Sequence, residues 1–373
     1  MTTLRRILWG AGWGVALSLI AIFLIGYAAP YLSPHRFWWT DLFAVVLPAM
    51  SVAVGVVCVG MAGQGLYRRR WGRVVVAGVL LLLVTIRFGP HLASWAPVAT
   101  DSRDLRLMTF NIPPLLDREG SPSGSLVQLL REEGPDVMAV QESRVQTTRN
   151  AAPDLDHVTP LIERLLRTNL GYSTPRLVPS RMTIQQPVLG RIALDSLSVH
   201  SLPPGGSNDA RFRYTRTAFT WRGRSAVLYN VHLHTIGQAR PWTMVPEAWL
   251  SLDRWATFLR TYKEGALRRA QQARLIRRRL KREDHPVIVV GDFNSTPHQW
   301  AYRHIAQGLH SALRQRGRGW SRTFPAENPL VQIDHVLATP EWQITAAHVP
   351  TLDGLGPLSD HRPVVAQMRW KIR

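Results

Sequence analysis

The chain has 373 residues, a formal net charge of +20 and a single cysteine, Cys58. This length allows either a membrane segment with one large domain or two ordinary domains, and one cysteine excludes any disulfide within the chain. The basic excess suits an anionic partner, but it is almost all arginine spread along the chain, which a genome-wide preference for arginine would also produce.

The composition changes sharply near residue 100. Residues 1–100 hold eight arginines, no lysine and one acidic residue, Asp41, among long apolar runs. We therefore predict a membrane domain at 1–100 and a second domain at 101–373.

Three apolar runs predict transmembrane helices at about residues 7–29, 42–66 and 74–88. The first two are long enough to cross a hydrocarbon core of ~30 Å at ~1.5 Å per residue. The third is short for a span, so a buried or re-entrant helix is the alternative interpretation.

Arginine clusters predict the orientation of these helices. Arg5, Arg6 and the arginines of residues 68–73 belong on the cytoplasmic side by the positive-inside rule. With three spans the second domain lies outside the cytoplasm, and with two spans it lies inside. We expect a multi-pass protein of the cell (inner) membrane with an extracytoplasmic second domain.

The second half of the chain has the pattern of strands alternating irregularly with few long helices, which predicts an α/β sandwich and not a doubly wound parallel sheet. The predicted strands are residues 105–112, 137–140, 218–221, 226–233, 286–290, 331–337 and 364–368. The predicted helices are residues 125–133 and 264–282.

Polar side chains recur at the ends of these strands, where burial is unfavourable unless they pair or hold a metal. They are Asn111, Glu142, Asn230, His232, Asp292, Asn294, Asp334, Asp360 and His361. Carboxylate and amide oxygens suit Mg²⁺, and histidine beside aspartate suits acid–base chemistry. Each alone has a simpler interpretation: a solvated strand end for Glu142, or a backbone-bonded turn for residues 291–294.

The order of these residues along the chain carries more information than any one of them. The segments are 107–111 (Leu-Met-Thr-Phe-Asn), 135–142 (Pro-Asp-Val-Met-Ala-Val-Gln-Glu), 229–233 (Tyr-Asn-Val-His-Leu), 289–294 (Val-Val-Gly-Asp-Phe-Asn), 332–337 (Gln-Ile-Asp-His-Val-Leu) and 358–363 (Leu-Ser-Asp-His-Arg-Pro). Over about residues 103–370 this set resembles, in order and approximate spacing, the motifs of the endonuclease/exonuclease/phosphatase superfamily. That superfamily includes nucleases, inositol polyphosphate phosphatases and bacterial neutral sphingomyelinases.

The resemblance implies a four-layer α/β sandwich, two packed and mainly antiparallel sheets flanked by helices, that hydrolyses phosphate esters with Mg²⁺ or Mn²⁺. Asn111, Glu142 and Asp360 match the metal site. Asp292 matches the residue that orients or deprotonates the attacking water, and Asn294 matches a ligand of a phosphate oxygen.

Three further residues complete the implied site. His361 matches the histidine that contacts the phosphate or acts as acid or base, with Asp334 holding its ring. His232 is similar to the second histidine of the nuclease and sphingomyelinase branches.

Two segments depart from the family pattern. Residues 185–191 are the nearest match to the family's Gly/Asn-rich strand and Ile-Leu-Ser-Arg stretch, which leaves the phosphate-contacting residue there open. Residues 235–262 form an insertion with Trp242, Trp249 and Trp255, and Trp249, Leu252, Trp255 or Ala256, and Leu259 recur at helical spacing. We expect this stripe to pack on the domain; the alternative is that it lies on the membrane or covers the site.

The substrate class stays open between nucleic acid and a phospholipid or sphingolipid. A different alternative is an inactive family member that serves as a membrane-anchored binding or scaffold protein. The complete set of acidic and histidine motif residues favours an enzyme. The sequence does not indicate an oligomeric state.

Overall fold

The computed structural model describes residues 3–93, 99–101, 103–112, 123–143, 145–147, 170–173, 182–203, 213–236, 251–317, 321–352 and 358–371. The N-terminal part is helical. Its helices are α1 (Thr3–Ala28), α2 (Pro34–Phe37), α3 (Thr40–Tyr67) and α4 (Trp71–Ala93), with a 3₁₀ turn at Ala29–Tyr31.

Three of these helices are long and apolar enough to cross a membrane, over Trp9–Tyr31, Thr40–Tyr67 and Trp71–Gly89. The third apolar run, short by itself, belongs to a 23-residue helix because the helix continues past both flanking arginines. One of them, Arg87, donates from Nη2 to the carbonyl of Tyr27 at 2.8 Å and stacks on its ring. Apolar side chains around Phe23, Leu47 and Val54 form the buried seam between these helices.

The rest of the chain forms two sheets that pack face to face. The strands are β1 (Leu105–Asn111), β2 (Val137–Gln141), β3 (Val145–Thr147), β4 (Met182–Ile184), β5 (Val188–Gly190), β6 (Leu194–Ser201), β7 (Arg213–Trp221), β8 (Arg224–Val231), β9 (Val287–Asp292), β10 (His310–Ser311), β11 (Asp334–Ala338), β12 (Trp342–His348) and β13 (Val364–Trp370). The first sheet has the order β12-β13-β1-β2-β5 and the second β10-β11-β9-β8-β7-β6, with β3 and β4 paired separately.

Both sheets are mixed but mainly antiparallel. Parallel pairing joins β1 to β2 and β8 to β9, and the other strand pairs of the two sheets are antiparallel. The inner faces meet in one core, where Leu107 and Val364 of the first sheet pack with Phe219 and Val290 of the second. Dense burial of such apolar side chains is the main force holding the two sheets together.

Helices cover the outer faces and complete four layers. Helix α5 (Ser123–Glu133) packs Leu126 and Leu130 on the first sheet. Helices α6 (Leu252–Leu280) and α7 (Trp300–Ala306) pack Ile276 and Ile305 on the second. A short helix α8 (Ala312–Arg316) follows β10. The α/β sandwich and its four layers are confirmed.

Helix α6 begins earlier than the periodicity at 264–282 predicts. The Ser251 side chain accepts from the Arg254 amide and caps its start, so residues 252–262 of the predicted insertion 235–262 belong to this helix. The expectation that its stripe packs on the domain is wrong for Leu252 and Leu259, which are 84% and 38% exposed. The packed face runs instead through Trp255, Phe258 and Tyr262. Residues 237–250, with Trp242 and Trp249, lie outside the described part of the chain.

Candidate active site

The ends of several strands bring the motif residues to one edge of the sandwich. Asn111 ends β1 and aligns with Gln141, the last residue of its parallel neighbour β2. Asp292 ends β9 and pairs across the ladder with Asp334, the first residue of β11. The parallel strand β8 ends one residue before His232. Because neighbouring parallel strands end at the same edge, residues far apart in sequence meet there.

Asp292 is the centre of this cluster. Its Oδ2 atom lies 3.1 Å from Asn111 Nδ2, 3.1 Å from Asn294 Nδ2, 3.6 Å from His232 Nε2 and 3.8 Å from His361 Nε2. Burial raises the pKa of Asp292; the positive charge of His361 opposes that rise. One buried carboxylate oxygen therefore faces two amide donors and two imidazoles.

His361 and Asp334 form a buried pair beside it. The imidazole Nδ1 lies 3.0 Å from Asp334 Oδ2 and 3.2 Å from Oδ1, which leaves Nε2 directed toward Asp292. Burial by itself lowers the pKa of His361, but the carboxylates of Asp334 and Asp292 outweigh it and raise the pKa to about 10. The ring is therefore a fixed positive charge at neutral pH, oriented by Asp334.

The turn after β9 shapes the site through its backbone. Asn294 adopts a positive φ of 45°, donates from its amide to Asp292 Oδ1 at 2.7 Å and from Nδ2 to the Leu233 carbonyl at 3.0 Å. Gly291 has φ 128°, and a Cβ at this position would lie 1.9 Å from the Val231 carbonyl oxygen. Only glycine allows β8 and β9 to approach this closely beside the reactive groups.

Asn111 and Glu142 offer oxygen ligands for a cation. Asn111 is buried, its Nδ2 donates to Glu142 Oε1 at 3.3 Å, and its Oδ1 has no hydrogen-bond partner. Glu142 has φ 63°, a conformation that nonglycine residues adopt at a cost of about 1–3 kcal/mol, and its side chain is 39% exposed. A buried unpartnered amide oxygen beside an open carboxylate fits a hard divalent cation.

A second set of possible ligand atoms lies deeper. One atom each from Asp292, Asp334 and His361 lie within 4.8 Å of one another. In this set His361 Nδ1 already binds the Asp334 carboxylate, so the contact works as a positioning hydrogen bond. The Asn111–Glu142 pair is therefore the better candidate for a metal site.

Contacts join seven of the eight residues predicted from sequence into this cluster. The eighth, Asp360, is exposed beside His361, and its carboxylate raises the pKa of that imidazole. Asn230, which sequence placed among the same polar strand ends, has a different position: it donates to the carbonyls of Val140 and Pro187 and so ties the two sheets together.

The structure adds residues that sequence reasoning did not single out. Ser359 donates to the Asn111 carbonyl at 2.6 Å and accepts from the His361 amide at 3.0 Å, so it joins two motifs. Thr323 accepts from the Asp334 amide. Ser359 lies within a recognised motif and could have been found, whereas nothing near Thr323 marks it. In the divergent segment 185–191, Gln186 is fully buried and both polar atoms of its amide lack a partner.

Comparisons with solved structures find proteins of similar fold. Among solved structures, a family protein from Bacteroides thetaiotaomicron is 14% identical, covers 72% of this chain and 96% of its own, and superposes with a TM-score of 0.50. Those from Beutenbergia cavernae and Bacteroides vulgatus are 20% and 19% identical with TM-scores of 0.49. Each covers 72% of this chain, with 72% and 99% of their own chains matched. These likenesses concern the fold.

A search of curated protein sequences gives no match. The model of the Endonuclease/Exonuclease/phosphatase family matches residues 108–361, which contain every one of the eight predicted site residues. The chain therefore belongs to the endonuclease/exonuclease/phosphatase family, whose members hydrolyse phosphate esters and generally depend on divalent metals.

Proposed function

We propose that the protein is a membrane-tethered, Mg²⁺-dependent phosphoesterase whose reaction takes place at Asp292, with Mn²⁺ as a possible substitute. The observation that carries the proposal is the set of four side-chain nitrogens within 3.8 Å of one buried carboxylate oxygen. This arrangement places a base and positive charge where a water molecule and an anionic phosphate can meet.

The residues of this chain have separate tasks in the proposed reaction. Asp292 orients the attacking water and accepts its proton. His361, held by Asp334 and positively charged at neutral pH, donates from Nε2 to a phosphate oxygen. Asn294 and His232 bind the remaining phosphate oxygens, because both already lie next to Asp292 Oδ2.

Asn111, Glu142 and Asp360 are the proposed metal ligands. When bound by these residues, a divalent cation would supply positive charge to stabilise the negative charge that develops on the leaving oxygen. The unpartnered Asn111 Oδ1 supports this assignment, since a buried acceptor without a ligand is unfavourable.

We also propose that this domain lies outside the cytoplasm. The segment between α1 and α3 and the end of α4 contact the domain, through Trp38 and Phe88 among others. Arg68–Arg70 and Arg73 lie at the opposite ends of α3 and α4. The positive-inside rule puts that arginine-rich end in the cytoplasm. Labelling tests this: a cysteine at exposed Arg222, in a Cys58→Ser background, should react with a membrane-impermeant maleimide added outside intact cells. Labelling only after lysis contradicts the orientation.

The activity is tested with the full-length protein in detergent. Bis-(p-nitrophenyl) phosphate and the corresponding monoester are offered with Mg²⁺ and with EDTA, to wild type and to His361→Gln. We expect metal-dependent cleavage that falls by about 10²-fold or more in the variant, because a charged hydrogen-bond donor to the phosphate is lost.

A matched histidine controls this experiment. His348 is half exposed and pairs with Glu133 on the domain surface, so His348→Gln should retain the activity of the wild type. Metal-independent cleavage, or equal loss in both variants, contradicts the proposal. Complete inactivity of the wild type on both esters favours the binding or scaffold alternative. Cleavage of the monoester alone identifies a phosphatase.

A further inference from the structure

The helical region contacts the sandwich through the segment between α1 and α3 together with the first residues of α3, residues 29–42, called the hairpin loop below. Trp38 and Leu42 pack against Phe258 and Tyr262 of α6. Phe258 and Tyr262 are 5% and 3% exposed, so the apolar contact is closed to water. The helical region is therefore docked on the domain and is more than a flexible tether.

Hydrogen bonds fix the arrangement of the hairpin loop on the domain. Gln299 Nε2 donates to the Asp41 carbonyl at 3.3 Å and to Tyr262 Oη at 3.0 Å. The Trp300 amide lies 3.5 Å from Asp41 Oδ1. All three side chains, Asp41, Tyr262 and Gln299, are at least 95% buried. Buried polar groups that satisfy one another specify a single arrangement.

The segments of the sandwich that make this contact directly follow active-site residues along the chain. Ile236, which joins the apolar contact, follows His232 by four residues, and Gln299 follows Asn294 by five. Arg269 of α6 donates to the His234 carbonyl at 3.2 Å, and its charge interacts with both Asp41 and Asp292. Gly265 allows close approach, because a Cβ there would lie 3.0 Å from the Thr235 carbonyl oxygen. The active-site edge is thus the edge that carries the hairpin loop.

The hairpin loop has the side chains of a membrane interface. Tyr31, Phe37 and Trp39 are 56%, 38% and 39% exposed, as expected for aromatic residues at head-group depth. On α6, Leu252 and Leu259 are also exposed, and a spacing of seven residues puts them on one face. The apolar exposed residues therefore flank the same edge.

Cationic side chains lie beside them. Arg274 bonds to His35 at 2.8 Å and stacks on Trp300, and Arg303 stacks over Tyr31 at 4.1 Å. Arginine side chains at head-group depth attract anionic lipid head groups. A nucleic acid, in contrast, would have to bring its polyanionic backbone against an anionic membrane surface to enter by this edge.

We propose that the phosphate ester cleaved here belongs to a membrane-embedded amphiphile, a phospholipid-type substrate whose head group enters the active site from the bilayer surface. This inference rests on the phosphoesterase function proposed above. In the reaction the water oxygen bonds to phosphorus, the ester P–O bond breaks, and the proton taken from the water ends on the released alcohol.

The test uses the full-length protein in mixed micelles of phosphatidylglycerol, a diester, or phosphatidic acid, a monoester, with a nonionic detergent and Mg²⁺. Soluble bis-(p-nitrophenyl) phosphate and a single-stranded oligonucleotide are assayed in parallel. We expect cleavage of a lipid at a rate that follows its mole fraction in the micelle at constant bulk concentration. The kcat/KM for the oligonucleotide should be about tenfold or more below that for the lipid, because the lipid surface occupies this edge of the domain.

Variants separate docking at the surface from chemistry. Arg274→Ala combined with Arg303→Ala should lower the rate of lipid cleavage by about ten- to thirtyfold, because each arginine contributes to binding the anionic lipid surface. The rate of cleavage of the soluble diester should stay unchanged within about twofold, because that substrate does not need the lipid surface. The matched control is Arg103→Ala with Arg222→Ala, which precede β1 and β8 at the opposite edge and should change neither rate. If the first double variant does not fold, the mole-fraction dependence of wild type decides.

Each outcome has one meaning. Lipid cleavage that depends on mole fraction supports the inference. Cleavage of the soluble diester and the oligonucleotide without cleavage of either lipid overturns it and leaves the phosphoesterase function standing. Absence of Mg²⁺-dependent cleavage of all four substrates overturns the proposed function and this inference with it.

Discussion

The helical region and the sandwich satisfy their polar side chains in different ways. In the helices, Ser18, Ser51 and Thr85 each donate to the carbonyl four residues earlier in the same helix. In the sandwich, Asn111 bonds to Asp292 across 181 residues and Ser359 bonds to Asn111 across 248.

The difference explains what each region can do. A polar group satisfied inside its own helix needs no other part of the protein and leaves an apolar surface suited to lipid. A polar group that depends on distant segments fixes those segments relative to each other and is positioned for chemistry. Removing a polar group such as Ser18, Ser51 or Thr85, which bonds within its own helix, should therefore have little effect, whereas removing one at the active-site edge should be severe.

A large effect is expected at Glu142. Glu142→Gln should reduce kcat by about 10²- to 10³-fold and weaken Mg²⁺ binding, because it removes a charged metal ligand and keeps the size and shape of the side chain. Turnover and calorimetric titration of Mg²⁺ measure both. Glu132→Gln is the control, because Glu132 only accepts from Gln128 on the exposed face of α5. Unchanged Mg²⁺ affinity in Glu142→Gln would remove Glu142 from the metal site.

Glycine substitutions sharpen the comparison. Gly291→Ala should destabilise the protein by about 3 kcal/mol or more, because its Cβ would overlap the Val231 carbonyl at a positive φ. Gly55→Ala in α3 meets no atom within 4 Å and should be neutral or stabilising by about 0.5–1 kcal/mol. Chemical denaturation in detergent compares them, and equal destabilisation would contradict the close approach of β8 and β9.

A buried histidine predicts the pH dependence of the sandwich. His335 Nε2 lies 2.8 Å from the Ser295 carbonyl and Nδ1 lies 3.1 Å from Gln332 Nε2, so the ring is held neutral. Burial lowers its pKa from the ordinary 6.5 to about 4. The unfolded chain then binds more protons between these values, and the free energy of unfolding should fall by about 3 kcal/mol as pH decreases through this window.

Denaturation curves at pH 7 and pH 4 check this contribution against a His335→Gln variant. The variant should lose less stability over the same interval than the wild type. Parallel loss in both proteins would assign the pH dependence to other groups.

Two serines give the smallest predicted effect. Ser359→Ala leaves the Asn111 carbonyl and the His361 amide without a partner, which should cost about 1–2 kcal/mol of stability and slow turnover by about tenfold. Ser51→Ala should change stability by at most about 0.5 kcal/mol, because its hydroxyl bonds only to Leu47. Similar stability losses in both variants would break the comparison between the two regions.

The contrast between local contacts in the helices and long-range contacts in the sandwich also determines what could be predicted from sequence. The apolar runs at 42–66 and 74–88 predicted helices that the structure gives as Thr40–Tyr67 and Trp71–Ala93, since the information is local. The third helix extends beyond the predicted run at both ends, because residues outside the apolar run, such as Trp71 and Ala93, also belong to it. Strand β12 was missed because its pattern, from Trp342 to His348, is not a clean alternation.

At the candidate site, the residue types and their order were predictable, because strand ends and motif order are written along the chain. Their geometry was not: the central place of Asp292, the bridging by Ser359 and the buried position of Gln186 depend on contacts between segments far apart in sequence. The contact of Asp41 with Gln299, across 258 residues, had no local signal at all.

The most direct test of the central claim is the Mg²⁺-dependent hydrolysis of bis-(p-nitrophenyl) phosphate by Asp292→Asn beside Asp195→Asn. Asp195 is exposed and accepts from Thr220 on the outside of the second sheet. If Asp292 is the base that the geometry indicates, its amide variant retains the fold and loses kcat by about 10²- to 10⁴-fold, and Asp195→Asn keeps the rate of the wild type. A folded Asp292→Asn protein with the turnover of the wild type would contradict the account.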